Sequence, residues 1–304
     1  MSTDSFAQLG TIKITDTKLT KNNYRRRANV DVSGIGGSIF IQGWQIIIEN
    51  TYIWADTHGD KNGQGITIKS DELIGKGARI TTEVLKNGIG NGGNIDITAR
   101  KVILTDGMQI AASTRSIGNS GKITMNVEEK IEISGYFSLL SLKDSKSGLL
   151  SNTSSSGNGG PIFIKTKLLT LKDDSNISTQ TMNTGNAGDV ALEVDNLKLT
   201  EEAQIDLNAN NKLKINNTGD GGTLTIRAKN SVLVSGKSDR PSALVSNTKT
   251  NGNGGEINIS ATQLSIENNG TIQAGTEGNG GYIFLNIDKL NLNQSGSITA
   301  ESFG

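Results

Sequence analysis

The stretch Gly90-Asn91-Gly92-Gly93-Asn94-Ile95-Asp96-Ile97, a glycine turn running straight into an alternating aliphatic pair, recurs throughout this chain. It returns as Gly118-Asn119-Ser120-Gly121-Lys122-Ile123-Thr124-Met125, and again at Gly157 to Ile164, Gly185 to Leu192, Gly219 to Ile226, Gly252 to Ile259 and Gly278 to Leu285. Upstream, Gly34 to Ile41 is a further copy, and Gly63-Gln64-Gly65-Ile66-Thr67-Ile68 is a copy one residue shorter. The last glycines of these turns fall at 37, 65, 93, 121, 160, 188, 222, 255 and 281, so successive spacings are 28, 28, 28, 39, 28, 34, 33 and 26. A period in the twenties marks a solenoid whose repeats each stack on their neighbours.

The residues after each turn give the repeat its internal structure. In the unit from Gly93, Ile95 and Ile97 alternate with Asp96 and Thr98. A break at Arg100-Lys101 leads to Val102-Ile103-Leu104, and Thr105-Asp106-Gly107 turns the chain into Ile110-Ala111-Ala112-Ser113-Thr114. This reads as three short strands separated by polar or glycine-bearing corners. The register holds in later units. Val102 and Leu104 become Leu169 and Leu171, Leu197 and Leu199, Leu264 and Ile266, then Leu290 and Leu292. Ile110 becomes Ile177, Ile205, Ile272 and Ile298, and Ala112 becomes Thr179, Leu207, Ala274 and Ala300. A slip of one residue would turn each such side chain outward, so the pattern specifies its pairing.

Repeats related by translation cannot pair as hairpins. The fold class expected is therefore all-β, a right-handed parallel β-helix of nine to ten coils, about 28 residues and three short strands per coil. At ~4.8 Å per coil the rod would be on the order of 45–50 Å long. Aliphatic ladders would fill the interior and Asn and Thr ladders the corners, with the turn glycines admitting φ > 0. Residues 1–32 read as a degenerate N-terminal rung and 33–304 as the repeat domain. Extra sequence after Ser134-Gly135, including Tyr136-Phe137 and Lys143-Asp144-Ser145-Lys146, and the segment Lys237-Ser238-Asp239-Arg240-Pro241 both lie between second and third strands. Loops 135–156 and 235–251 should thus leave the same edge of the rod. A third insertion, around Asn208 to Asn217, sits at the corner before the next glycine turn.

Composition narrows the chemistry. Lys plus Arg and Asp plus Glu number 30 each among 304 residues, so no basic field draws nucleic acid or anionic lipid. Arg25-Arg26-Arg27, the basic cluster, reads as an exposed loop. The 34% hydrophobic content is low, as expected of strands with one face in a core. No cysteine is present, which excludes disulfides, thiolate metal sites and cysteine nucleophiles. No run approaches the ~18 apolar residues of a membrane-spanning helix, and Met1 to Ser5 lacks the pattern of a secretory signal.

Catalytic signals are weak. His58, the lone histidine, reads as a solvated turn residue. Asp173-Asp174 and Glu201-Glu202 resemble the paired acids of glycoside hydrolysis, but they align with the corner that also holds Asp106-Gly107 and Asn268-Asn269, which marks them as turn residues. Stacked on adjacent coils, Asp173 and Glu201 could hold calcium weakly. Aromatic residues make up only 4% of the chain; Trp44, Tyr52 and Trp54 share one N-terminal coil and read as cover for the end of the core, with a glycan-stacking patch as the other reading. No Gly-Lys-Ser/Thr follows the glycine turns, so they are not phosphate loops. No catalytic, cofactor-binding or metal residue is therefore assigned.

Gly90 to Ala99, Leu104-Thr105-Asp106-Gly107 and Ile110 to Thr114 resemble the repeats of filamentous-haemagglutinin-like exoproteins of cyanobacteria and other Gram-negative bacteria. The stretches Gly36 to Ile41 and Asn50 to Thr57 are similar to a first repeat of the same group. The resemblance, over about 33–304, implies a non-enzymatic structural rod in an adhesin-like protein, secreted or at the cell surface. It implies export through an outer-membrane two-partner-secretion transporter that reads an N-terminal domain of a longer parent. A glycan or cell-surface ligand, no nucleic acid, no membrane span and a monomeric parent are further expectations. A carbohydrate-active or carbohydrate-binding β-helix protein is the alternative. Because the last residues, Ser297 to Gly304, match the third strand of a coil, the chain is expected to be an internal piece of such a parent, prone to end-to-end association.

Overall fold

The computed structural model describes residues 9–16, 29–34, 36–137, 145–209, 219–237, 240–249, 252–276 and 280–302. They form an all-β parallel solenoid without helix, with roughly 29 residues per turn. One 10-stranded sheet comprises Thr11–Thr15, Ser38–Glu49, Gly65–Lys76, Ile95–Thr105, Ile123–Ser134, Ile162–Lys172, Val190–Thr200, Thr223–Ser235, Glu256–Glu267 and Tyr282–Leu292, stacked in chain order. These strands number the coils 1 to 10. A second 10-stranded sheet stacks Asn29–Asp31, Tyr52–Trp54, Arg79–Thr81, Gln109–Ala111, Gly148–Leu150, Asn176–Ser178, Gln204–Asp206, Ala243–Val245, Thr271–Thr276 and Ser297–Ser302 in the same order.

Each coil carries the three expected strand segments, but the first two run together. In coil 4 the expected break at Arg100-Lys101 is a bend inside the continuous strand Ile95–Thr105, and the pairing to coil 5 shifts there, between Ala99 and Lys101. A third line of contact consists of single-residue bridges linking Gly34, Thr57, Val84, Thr114, Thr153, Thr181, Ala209, Thr248 and Thr276 in turn. The rung expected within residues 1–32 pairs normally where described: Thr11–Thr15 lies on Gln45–Glu49 and Asn29–Asp31 on Tyr52–Trp54.

The aliphatic register is the expected one. Ile110 stacks between Ile80 and Leu149, and the column continues through Ile177, Ile205, Leu244 and Ile272. All of these are fully buried. One defect in the ladder is filled from the side. Gly75 occupies the place held by Ile48 and Leu104 in the neighbouring coils, and the Met108 side chain packs where a Cβ on Gly75 would lie. An unbranched thioether suits so irregular a gap.

The turn glycines adopt the expected positive φ only in the upstream copies, at Gly34, Gly36 and Gly65, and the later copies have a different cause. None of the motif's glycines between Gly90 and Gly255 has a positive φ among the described residues. They are glycine because the turns stack backbone on backbone: a Cβ on Gly118, Gly157 or Gly185 would overlap the carbonyl oxygen of the equivalent glycine one coil before. The Asn between them forms a ladder along the rod. The side-chain oxygen of Asn62 accepts the Asn91 amide N–H at 2.8 Å, and Asn91, Asn119 and Asn158 accept from Asn119, Asn158 and Asn186 at 2.9 Å each. Asn186 and Asp220 extend it to Asp220 and Asn253 at 3.0 and 2.7 Å. From inside the coil, Thr82 and Thr179 hydroxyls donate to the carbonyls of Gly93 and Gly188 at 2.6 Å. The left-handed backbone sits instead at the corner ending the long strand, at Asp106, Asp173, Asp174, Glu201, Glu202, Asn268 and Asn269.

Both described insertions leave from that corner. Residues Tyr136–Phe137 and Ser145–Lys146 pair antiparallel, the base of a hairpin between the long and short strands of coil 5. Phe137 folds back over Gly107 of coil 4. In coil 8 the described residues 236–237 and 240–242 lie between the same two strands. The insertion at 210–217, and Lys143 and Asp144, lie outside the described residues.

Candidate functional site

The bend in the long strands produces the main concavity. Stacked over coils 3 to 9, it forms an open groove of about 1030 Å³ running along the rod. Its floor is built from the residue at the bend, small or β-branched in each coil: Ser70, Ala99, Val127, Thr166, Val194 and Ala228, all buried. The next residue in each strand stands on the wall as Asp71, Arg100, Glu128, Lys167, Asp195 and Lys229, a charge whose sign alternates from coil to coil. No aromatic residue lines the groove.

Electrostatics divide the groove into two halves. At coils 3 to 5, Arg100 donates to both oxygens of buried Asp71 at 2.9 Å and to Glu129 at 2.7 Å. These hydrogen bonds, Asp71 first, raise the guanidinium pKa further, and the bidentate geometry fixes this end. At coils 5 to 8, Glu128, Lys167, Asp195 and Lys229 have no ion pair among the described residues, whereas Lys165 meets Glu193 at 3.4 Å on the opposite wall. On the floor, Ser70 Oγ and Thr166 Oγ1 are buried and without a hydrogen-bond partner among the described residues.

The acids singled out from the sequence lie elsewhere. Asp173, Asp174, Glu201 and Glu202 occupy the left-handed corner, on the edge where the insertions leave. Lys146 of the hairpin base contacts Asp174 at 2.5 Å, and Arg240 contacts Glu202 at 3.2 Å. A hydrogen bond to Asp173, reinforced by its charge, raises the Glu201 pKa. The two pairs are thus brought together as stacked turn residues, and no group of three or more metal-ligating side chains occurs among the described residues. His58 is exposed, and its backbone N–H bonds to Gly34. Arg25, Arg26 and Arg27 lie outside the described residues.

Trp44, Tyr52 and Trp54 do not cover the end of the core. Tyr52 and Trp54 flank fully buried Ile53, so both face outward, their rings stacked 4.7 Å apart, and coil 1 lies beyond them. Trp44 is on the long strand of the same coil, 39% exposed. Sequence reasoning missed two half-buried acids. Asp56 accepts from Thr81 Oγ1 at 2.7 Å and from the Glu83 N–H at 2.8 Å, and burial raises its pKa despite those bonds. Asp206 accepts from the Asn208 N–H at 3.1 Å and from the Gln180 amide, and burial raises its pKa to about 6. Asp206 ends a short strand, at the place of Ser178 and Val245 in the neighbouring coils, whereas Asp56 lies two places further along its coil, level with Glu83.

No helix among the described residues is long and apolar enough to cross a membrane. No known protein family, curated protein or solved structure matches the chain.

Proposed function

We propose that the chain is a stiff rod segment of a secreted or cell-surface, adhesin-like protein, and that its work is to hold the corner insertions away from the surface that anchors it. The observation that carries this reading is the continuous parallel stacking of ten strands in each sheet, with both described insertions leaving one corner. A stack whose inner face is aliphatic from coil to coil is rigid because each coil is clamped between two others. Side-chain ladders along its axis add to that rigidity. The acids at the insertion corner serve turn geometry and ion pairing, a structural and not an enzymatic use. Export through an outer-membrane two-partner-secretion transporter, directed by an N-terminal domain of a longer parent, belongs to the same proposal and rests on the repeat resemblance.

The test is exposure on living cells. Antibodies raised against the full chain should label intact cells of the producing organism, and mild external protease should remove the signal. Labelling that needs permeabilised cells would overturn the proposal. So would release of reducing ends from a polysaccharide panel that is lost in Asp173→Asn or Glu201→Gln.

A further inference from the structure

We propose that Asn87 is a site of spontaneous covalent modification, deamidating through a succinimide, and that the asparagine ladder shields the equivalent pairs at Asn62, Asn91 and Asn158. The inference goes beyond the rod reading and does not depend on it. It rests on how differently the fold holds one dipeptide, Asn-Gly, at separate places along the chain.

The chemistry is intramolecular. The backbone nitrogen of the residue after an asparagine attacks the side-chain carbon Cγ, and the N–Cγ bond forms as the Cγ–Nδ2 bond breaks. Ammonia leaves, and a solvent water opens the five-membered ring at either carbonyl to give aspartate or isoaspartate. Glycine in second place favours the attack, because it has no Cβ to obstruct it and its backbone turns freely. Two conditions remain. The carboxamide must swing over its own backbone, and the glycine nitrogen must leave its hydrogen bond.

Within the ladder both conditions fail. Asn62, Asn91 and Asn158 each hold their side-chain oxygen on an amide N–H of the next coil, at 2.8, 2.9 and 2.9 Å. The glycine that follows each, Gly63, Gly92 or Gly159, donates its own N–H at 2.9 Å to the carbonyl of that same partner residue, Asn91, Asn119 or Asn186. Both atoms that must meet are therefore pinned to the neighbouring coil, and two coils have to part before the ring can close.

Asn87 lies outside the ladder, in the turn from Leu85 to Gly88 of coil 3. Its side chain is exposed and has no hydrogen-bond partner among the described residues. Its backbone is left-handed, with φ 72°. The Gly88 N–H is held by the Leu85 carbonyl at 3.0 Å, a bond inside the turn itself. Reaction there needs one local bond to open and no separation of coils, and local openings cost far less than the parting of a packed unit. Asn269-Gly270 is intermediate: Gly270 donates to Glu267 at 2.8 Å in a similar turn, but Asn269 Nδ2 is tied to the Lys237 carbonyl at 3.2 Å. The pairs at 251, 253 and 279 include or adjoin residues outside those described. Conversion at Asn87 puts a carboxylate beside Lys86 and, as isoaspartate, one extra carbon into the backbone leading to Gly90.

The experiment is long incubation of the full chain at pH 8, at a temperature where circular dichroism shows it folded throughout. Samples are digested and mapped by mass spectrometry, with enzymatic isoaspartyl methylation to separate the two products. Synthetic peptides spanning each of the four pairs supply the unshielded rates. Asn87 should react within about tenfold of its peptide, and Asn62, Asn91 and Asn158 about a hundredfold or more slowly than theirs. Asn87→Gly, which keeps the left-handed turn, should abolish the signal from that segment and leave the other three rates unchanged. The proposal is overturned if Asn87 stays intact while its peptide reacts, or if the three ladder pairs keep pace with their peptides.

Discussion

Buried Met108 and half-buried Asp206 show how single side chains set the balance of this fold. Met108 fills the space left by Gly75 in the adjoining coil, so Met108→Ala should cost about 2–4 kcal/mol, since the cavity between two rigid coils cannot collapse. Replacing Gly75 by Leu at the same time, which restores the aliphatic column of Ile48 and Leu104, should recover part of that loss. Urea denaturation of the two singles and the double checks both statements, and a double variant less stable than either single would refute the filling role. Asp206 acts in the opposite direction. Burial raises its carboxyl from 3.8 to about 6, so the folded state holds a proton that the unfolded chain has released. Native stability at this site is therefore full below about pH 4 and falls as pH rises toward 6, by up to ~3 kcal/mol. Asp206→Asn keeps the acceptor for the Asn208 N–H, and it should flatten that slope and stabilise the protein at pH 7. Denaturation midpoints at pH 4, 5, 6 and 7 for both proteins measure the difference; parallel pH profiles would contradict the assignment.

At the scale of the strand and its corner, ladder and insertion respond differently to change. Ile110→Asp would place an unpaired charge between Ile80 and Leu149, and should unfold the stack locally or globally. Asn119→Ala leaves the Asn158 N–H without its acceptor and should cost about 1–2 kcal/mol. Deleting 237–241 removes the exposed Arg240–Glu202 pair and the exposed hydrogen bond from Asn269 Nδ2 to the Lys237 carbonyl, so thermal unfolding should shift little. A deletion more damaging than Ile110→Asp would mean that the corner, and not the core, organises coil 8. The contrast explains what could be read in the sequence. Translation of one unit places Ile110 over Ile80 and under Leu149, so period and core were legible from spacing alone. The joining of the first two segments was not, because Arg100-Lys101 reads as a turn until neighbouring strands impose a bend. Nor was the groove: its floor takes one residue from each of six coils, and Ala99, Thr166 and Ala228 share position but not chemistry. The usable signal was the alternating charge one step after them. The acid pairs were legible as turn residues from their alignment with Asp106 and Asn268-Asn269, as left-handed corner backbone tolerates Asp, Glu and Asn alike.

For the whole molecule, the two ten-strand sheets predict an elongated particle. Small-angle scattering should give a rod-like distance distribution, and circular dichroism a β-dominated spectrum with little helix. A compact profile with substantial helical signal would exclude the stack. Because each coil contacts only its neighbours, unfolding should lose cooperativity as coils are weakened one at a time, as in other one-dimensional arrays. The interstrand hydrogen bonds also point along the rod. The first and last described strands lie at opposite ends of the sheet order, so tension applied to the chain pulls on those bonds lengthwise and frees the outermost coil first. Each coil that peels away would surrender about 5 Å of rod and release roughly 28 residues, on the order of 95 Å of extended chain. Under load the same molecule that resists bending becomes a yielding tether, lengthening in steps instead of breaking.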